Sequence, residues 1–278
     1  MDIRAMTLPE LEIVLDWAAE EGWNPGLSDA ASFHFADPGG FLLGLIDGEP
    51  VASIFAVRYG GGFGFIGGYI VRPAFRGRGH GMEIWRAGMA LLEGRNVALD
   101  GVPAQQANYA RSGFRLAHRN VRYEGRGSAL PTPSRVLPFG SQDIDEVVAY
   151  DRAFFPGHRE AFMRCWLQQT GSVVFGIRGD GDALLGYGVL RPCRSGFKIG
   201  PLCAESPDVA EELLQALRGR VPEDEPIFLD VPEPNAAAVA LAERHGMHAC
   251  FETARMYTGA DPGLPLARQY GITSFELG

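Results

Sequence analysis

Lysine is almost missing from this 278-residue chain: Lys198 is the only one, and arginine supplies the rest of its 25 basic residues. Against 34 acidic residues the formal net charge is −9. Nucleic-acid binding needs basic stripes to neutralise phosphates, so DNA and RNA are not expected partners. Cysteine is scarce too. Cys165, Cys193, Cys203 and Cys250 form no C-x-x-C pair and none has a histidine at ligand spacing. The expectation is small buried hydrophobes in a reducing compartment, with no metal site. The six histidines are scattered and make no metal-like set. Long hydrophobic runs are absent, and none approaches the roughly 20 residues that span a bilayer, so no membrane partner is expected. Met1-Asp2-Ile3-Arg4 does not begin a secretory signal, which gives a cytoplasmic location as the expectation.

What is present is an ordinary globular composition, 46% hydrophobic and 21% charged, enough for one large or two average domains. The segment Gly125–Ser134 is rich in turn formers and poor in apolar residues. It predicts a linker at 126–135 between domains 1–125 and 136–278. Strand and helix patterns recur in one order on both sides. In the first half, a strand at Ile3–Met6 leads to a helix capped by Thr7, with Leu8, Leu11, Val14, Leu15 and Ala18 on one face. Phe41–Ile46 and Val51–Arg58 read as a hairpin around Asp47–Pro50. A strand at Phe63–Val71, a helix at Gly79–Leu92, a strand at Val97–Asp100, a helix at Gln105–Ser112 and a strand at Phe114–Tyr123 follow. In the second half, helices at Asp143–Phe154 and Arg159–Gln168 precede a similar series. Leu99-Asp100…Gly113-Phe114 parallels Leu229-Asp230…Gly246-Met247 most closely. Tandem copies of one fold are therefore expected.

Tyr69-Ile-Val-Arg-Pro-Ala-Phe-Arg-Gly-Arg-Gly-His-Gly81 carries the chemistry. A strand ends at Val71, a glycine-rich turn follows, and a helix begins near Gly79. Free amides at a helix N-terminus, with the positive dipole end, bind phosphate. Gly77, Gly79 and Gly81 let the backbone approach a ligand, while Arg76 and Arg78 add positive charge. The physical reading is a pyrophosphate cradle. A P-loop would need Gly-Lys-Ser/Thr, which is missing. A G-x-G-x-x-G count from Gly77 ends on Met82. Gly62–Gly67 fits that pattern, but a strand follows it rather than a helix.

The remaining pattern, R-x-x-G-x-G at Arg76–Gly81, resembles the acetyl-CoA pyrophosphate loop of the GNAT (Gcn5-related N-acetyltransferase) superfamily. Tyr109-Ala-Arg-Ser-Gly-Phe114 is similar to that superfamily's Y-x-x-x-G-F. Gly22–Gly26, Leu99–Val102, Gln105-Gln106, Asn108-Tyr109 and Arg119–Glu124 extend the likeness to tandem GNAT proteins with a divergent C-terminal copy. The resemblance implies an α/β (α+β) fold of two GNAT-like domains, each a mixed, mostly antiparallel twisted sheet flanked by helices. It implies acetyl-CoA as cosubstrate, held at Ile70, Val71, Arg76, Gly77, Arg78, Gly79, His80, Gly81 and Asn108. It also implies N-acetyl transfer by direct attack on the thioester. An amide near Ile70 or Val71 would face the carbonyl, and Tyr109 would protonate the departing sulfur. The second half lacks the loop: it reads Lys198-Ile-Gly-Pro-Leu-Cys-Ala204, and Ala242 stands where Tyr109 would. Loss of cofactor binding there is expected.

The base stays open. Asp100, at a strand end beside the expected cleft, is the first catalytic candidate, with Glu21 and Glu83 as rivals. A turn-capping role for Asp100 is equally compatible, since Asp230 occupies the matching place. Trp23, Asn24, Phe154, Phe155 and Trp166 are candidate walls of a pocket for a small-molecule amine, and Arg159 would pair with a carboxylate of that acceptor. The alternative for Arg159 is an acidic neighbour in its own domain. A non-catalytic acyl-CoA-binding module is the competing reading for the whole chain, and a homodimer is left open.

Overall fold

The computed structural model describes residues 1–278. The first half contributes β1 (Asp2–Ala5), α1 (Leu8–Glu20), α2 (Asp29–Ala36), β2 (Phe41–Ile46), β3 (Glu49–Tyr59), β4 (Phe63–Val71), α3 (His80–Leu91), β5 (Asn96–Gly101), α4 (Gln106–Arg111) and β6 (Arg115–Arg126). Thr7 and Glu10 close a capping box that starts α1. The β2–β3 turn is tighter than expected. Pro50 already pairs with Leu45, which leaves the two-residue turn Asp47-Gly48 with φ of 51° and 81°. An Asp-Gly pair tolerates that conformation best.

The second half contributes β7 (Val136–Pro138), α5 (Ile144–Asp151), α6 (Glu160–Trp166), β8 (Val173–Arg178), β9 (Leu184–Pro192), β10 (Phe197–Ala204), α7 (Pro207–Arg218), β11 (Pro226–Pro232), α8 (Ala236–Arg244), β12 (His248–Tyr257) and β13 (Gln269–Gly271). The helix expected to run through Phe154 ends at Asp151 and passes into a 3₁₀ turn.

The two copies do not stand side by side as separate sheets. All the strands join one 13-stranded sheet in the order β1-β2-β3-β4-β5-β12-β6-β11-β10-β9-β8-β7, with β13 added beside β10. The copies have exchanged their last long strands. β12 of the second half pairs with β5, and β6 of the first half pairs with β11. The two exchanged strands also pair with each other, antiparallel, from His248↔Glu124 to Tyr257↔Arg115.

The core is shared in the same way. Its largest cluster, 33 buried residues, draws Leu11, Phe33 and Phe55 from the first half and Phe162, Trp166 and Tyr187 from the second. α2, which the sequence pattern did not reveal, packs against α6, with Phe33 and Trp166 stacked at 6.2 Å. Each such side chain contributes about 1.5–3 kcal/mol when fully buried. Residues 1–126 expressed alone are therefore expected to lack a stable fold. β5 would lose β12, β6 would lose both neighbours, and unpaired apolar edges aggregate. Circular dichroism and gel filtration check this: a monomeric, cooperatively melting fragment would contradict it.

Candidate active site

β4 and β5 pair in parallel only from Phe63↔Asn96 to Ile66↔Leu99. Beyond that point β4 is bulged against β3, with three steps from Gly67 to Ile70 opposite two from Ser53 to Phe55. Gly68 takes φ of 51° there, and its carbonyl accepts a 2.7 Å hydrogen bond from the Ser53 hydroxyl. The bulge turns β4 away from β5 and opens a cleft of about 350 Å³ between them. Ile70 and Val71 lie on its β4 edge, Asp100 and Gly101 on its β5 edge, and Tyr109 lies among its lining residues.

The glycine loop follows the end of β4 after one 3₁₀ turn, and its first residue, Arg76, lines this cleft. Gly77 and Gly79 have φ of 75° and 88°, and nothing lies within 4 Å of where a Cβ would project from either. Gly79 caps α3 with no side chain on the first-turn amides, and Arg78 is exposed beside it. Gly81 is required for a different reason: a Cβ there would come within 2.6 Å of the Tyr69 hydroxyl. The α3 N-terminus is thus an open set of amides, suited to a pyrophosphate. His80 opens α3, its ring 3.9 Å from Glu83. Arg76 does not extend toward the loop. Its guanidinium donates to the Val71 carbonyl at 2.8 Å and pairs with Glu21, and both residues line the cleft. Asn108 on α4 is bonded to Gln105 and Arg111.

Tyr109 is held by close packing. Its ring lies 5.7 Å from Trp85, and Gly101 must be glycine because a Cβ would meet the ring at 2.2 Å. Burial, aided by neighbouring Tyr69, pushes its hydroxyl pKa up to about 12. The phenol therefore keeps its proton throughout the physiological range.

Asp100 is not free to act as a base. Its side chain is fully buried, and both oxygens are engaged: Arg255 donates from Nε at 2.8 Å and from Nη2 at 2.6 Å, and Asn120 donates at 2.8 Å. It caps no turn either. The matching Asp230 is held the same way by Arg122, at 2.7 and 2.8 Å. Each copy's strand-end aspartate thus holds the arginine of the strand it received in exchange. Glu83 is half exposed on α3, away from the cleft lining.

Of the expected acceptor-pocket residues, Trp23 alone lines the cleft. Asn24 faces the β9–β10 turn, exchanging bonds with Ser195 at 2.9 and 3.0 Å, and its carbonyl accepts from Lys198. Phe154, Phe155 and Trp166 are core residues, Phe155 packing on Tyr59 at 4.6 Å. Arg159 is buried and bound bidentately to Asp151, at 2.8 and 2.7 Å, so it has no arm for an acceptor carboxylate. Its remaining nitrogen donates to Thr273 Oγ1 and to the Gly278 oxygen, both at 3.0 Å. Its work is to anchor the C-terminal segment.

That segment is what sequence reasoning missed. In the second copy, β10 and β11 also pair only briefly, from Phe197↔Ile227 to Ile199↔Leu229. The gap beyond is filled by β13, and the Ile272 amide donates to the Asp230 carbonyl at 2.9 Å. A Cβ on Gly200 would come within 2.7 Å of the carbonyls of Ile272 and Thr273. The place where the second copy would take a ligand is occupied by its own chain. The segment then crosses to the first copy, where Phe275 and Glu276 join Phe251 and Thr253 of β12 in lining the cleft.

Two family models match this chain: an "Acetyltransferase (GNAT) family" model over residues 8–114 and an "Acetyltransferase (GNAT) domain" model over residues 147–271. A holothin acyltransferase from a Pseudoalteromonas strain is 32% identical over 273 residues, covering 98% of this chain and 92% of that protein. Among solved structures, a proposed acetyltransferase from Pyrococcus horikoshii superposes with a TM-score of 0.84 at 23% identity, over 100% of this chain and 95% of the other. A tandem GNAT protein from the clavulanic acid biosynthesis pathway superposes with a TM-score of 0.63 at 14% identity, over 94% and 99%. The bulged, splayed strand pair, the glycine loop and these likenesses agree: the chain belongs to the GNAT superfamily of acyltransferases and carries two GNAT domains in tandem.

Proposed function

We propose that the chain transfers an acyl group, acetyl in the simplest case, from acyl-coenzyme A to the amine of a small molecule by direct attack. The observation that supports it most is the cleft between the splayed β4 and β5 edges, lined by the protonated Tyr109 and by Arg76 of the glycine loop that leads into the open α3 N-terminus. The pyrophosphate would lie against the amides at Gly77–Gly81 with Arg78 alongside. The thioester would lie along Ile70 and Val71, where a backbone amide can receive the developing oxyanion.

The amine lone pair attacks the thioester carbonyl carbon, the C–S bond breaks, and Tyr109 gives its proton to the sulfur. Of the two protons the ammonium must lose overall, one restores Tyr109 and one leaves to a base. The acceptor as a small molecule fits the enclosed cleft and the likeness to a protein named for acylating holothin. Thiol release from acetyl-CoA across a panel of amines tests the reading: no amine-dependent release, with the nucleotide bound, would sink it.

One coenzyme A per chain is expected, because the second copy's cleft is filled by residues 269–273. Arg78→Glu places a negative charge beside the pyrophosphate from an exposed position. It should weaken coenzyme A binding about tenfold or more, an effect that shrinks as salt rises. Calorimetry reads both. A stoichiometry of two, or affinity indifferent to Arg78, would contradict the assignment.

A further inference from the structure

Glu276 is the odd carboxylate of the molecule. It is only 3% exposed, it lines the cleft, and both its oxygens are buried without any hydrogen-bond partner. Buried carboxylates are normally paired, and an unpaired one on a residue that lines a ligand cleft calls for a partner from outside. Its backbone is fixed tightly. Gly67 of β4 lies so close that a Cβ there would fall 1.9 Å from the Glu276 carbonyl. Arg159 holds Thr273 on one side, while Tyr59 donates to the Leu277 carbonyl at 3.2 Å and Leu277 donates to Ser274 on the other.

The charges around it explain how an open carboxylate is tolerated. Asp29 is spent on Arg191 and Asp230 on Arg122, whereas Lys198 has only the Asn24 carbonyl, at 2.9 Å. Arg122, Arg191 and Lys198 all lie within the electrostatic reach of Glu276. Their positive charge lies near the Glu276 carboxylate, yet no donor among them bonds either of its oxygens. Trp23, Phe251 and Phe275 line the same cleft, and Arg122 lies over the two phenylalanine rings.

We propose that Glu276, carried by the second copy's terminal segment into the first copy's cleft, is the site that receives the acceptor's ammonium group. The acceptor class is then a small cationic amine with a flat apolar body. This rests on the acyl-transfer reading above and supplies its missing base. Glu276 takes one proton from the bound ammonium, the neutral amine attacks the thioester carbon, and the second nitrogen proton restores Tyr109 after it has protonated the sulfur. Glu276 then returns its proton to solvent. The products are amide, thiol and one released proton, so charge and atoms balance.

Benzylamine and benzyl alcohol are the probes, because they share a flat apolar body and differ in the cation. Their binding to the full-length protein is followed by intrinsic tryptophan fluorescence and by calorimetry. Glu276→Gln should weaken benzylamine about 10–100-fold, the range of a lost charged hydrogen bond, while benzyl alcohol changes less than about twofold. Glu276→Asp, which keeps the charge, should recover much of the amine affinity. Unchanged benzylamine binding by Glu276→Gln, or equal losses for amine and alcohol in both variants, would overturn the proposal. Because binding is read without turnover, the result stands apart from the thiol-release test of acyl transfer.

Discussion

Replacing Tyr109 by Phe is expected to lower kcat by about 10²–10⁴-fold, the usual contribution of a positioned general acid. The change removes one oxygen and leaves the ring, so packing on Trp85 and against Gly101 should survive. Binding of acetyl-CoA, which the proposed function assigns to the loop at Gly77–Gly81, should hardly move. The raised phenol pKa, up to about 12, adds a second expectation. A group whose pKa is raised keeps its proton until the pH approaches that value. The wild-type rate should therefore show no basic limb from Tyr109 across pH 7–10. Steady-state kinetics with a competent acceptor check both. A Phe variant with wild-type kcat would return Tyr109 to the role of a packed aromatic.

The glycine loop between β4 and α3 was legible in the sequence because local rules fix its shape. A strand running into glycines and then a helix is a short-range pattern. α1 was equally visible, through its Thr7–Glu10 cap and the spacing of Leu11, Val14 and Leu15. What was hidden depends on contacts between distant residues. Asp100 looked like a free carboxylate at a strand end, but Arg255, 155 positions away, comes to it through the strand exchange. For Arg159 the alternative stated above, an acidic neighbour in its own domain, is the one found, and that neighbour is Asp151. α2 carries polar residues such as Asp29 and Ser32 into the interior, which breaks the apolar stripe a reader looks for. Glu276 sits in a segment with no periodicity, and its significance appears only when the residue is found lining the cleft with both its oxygens buried and unbonded. The second half does line the cleft, through β12 and residues 275–276, whereas Phe154–Arg159 do not.

Asp100→Asn is expected to destabilise the protein by about 3–5 kcal/mol, because it leaves the buried Arg255 guanidinium without its counter-charge. At roughly 2–4 °C per kcal/mol for a chain somewhat below this size, the melting temperature should fall by about 10 °C. The same substitution separates two roles for Asp100. A general base would lose turnover with stability intact. A latch between exchanged strands loses stability, while kcat at a temperature where the protein stays folded remains close to wild type. Asp230→Asn should behave alike, since Arg122 is buried too, at 2% exposure against 5% for Arg255. Burial alone would raise the Asp230 pKa, but the charge and hydrogen bonds of Arg122 outweigh it and hold the carboxyl below its ordinary value. A depressed carboxylate pKa contributes stability that is fully present above the unfolded value, near 3.9 for aspartate, and is lost as pH falls through the folded one. Asp29, held below its usual range by Arg191 against the same burial penalty, adds to the effect in the same direction. The wild-type melting temperature should accordingly fall below about pH 4, and Asp230→Asn should flatten that fall. Thermal melts from pH 3 to 8 decide it: an Asp100→Asn variant as stable as wild type, with kcat reduced a hundredfold, would restore Asp100 as the base and remove the latch.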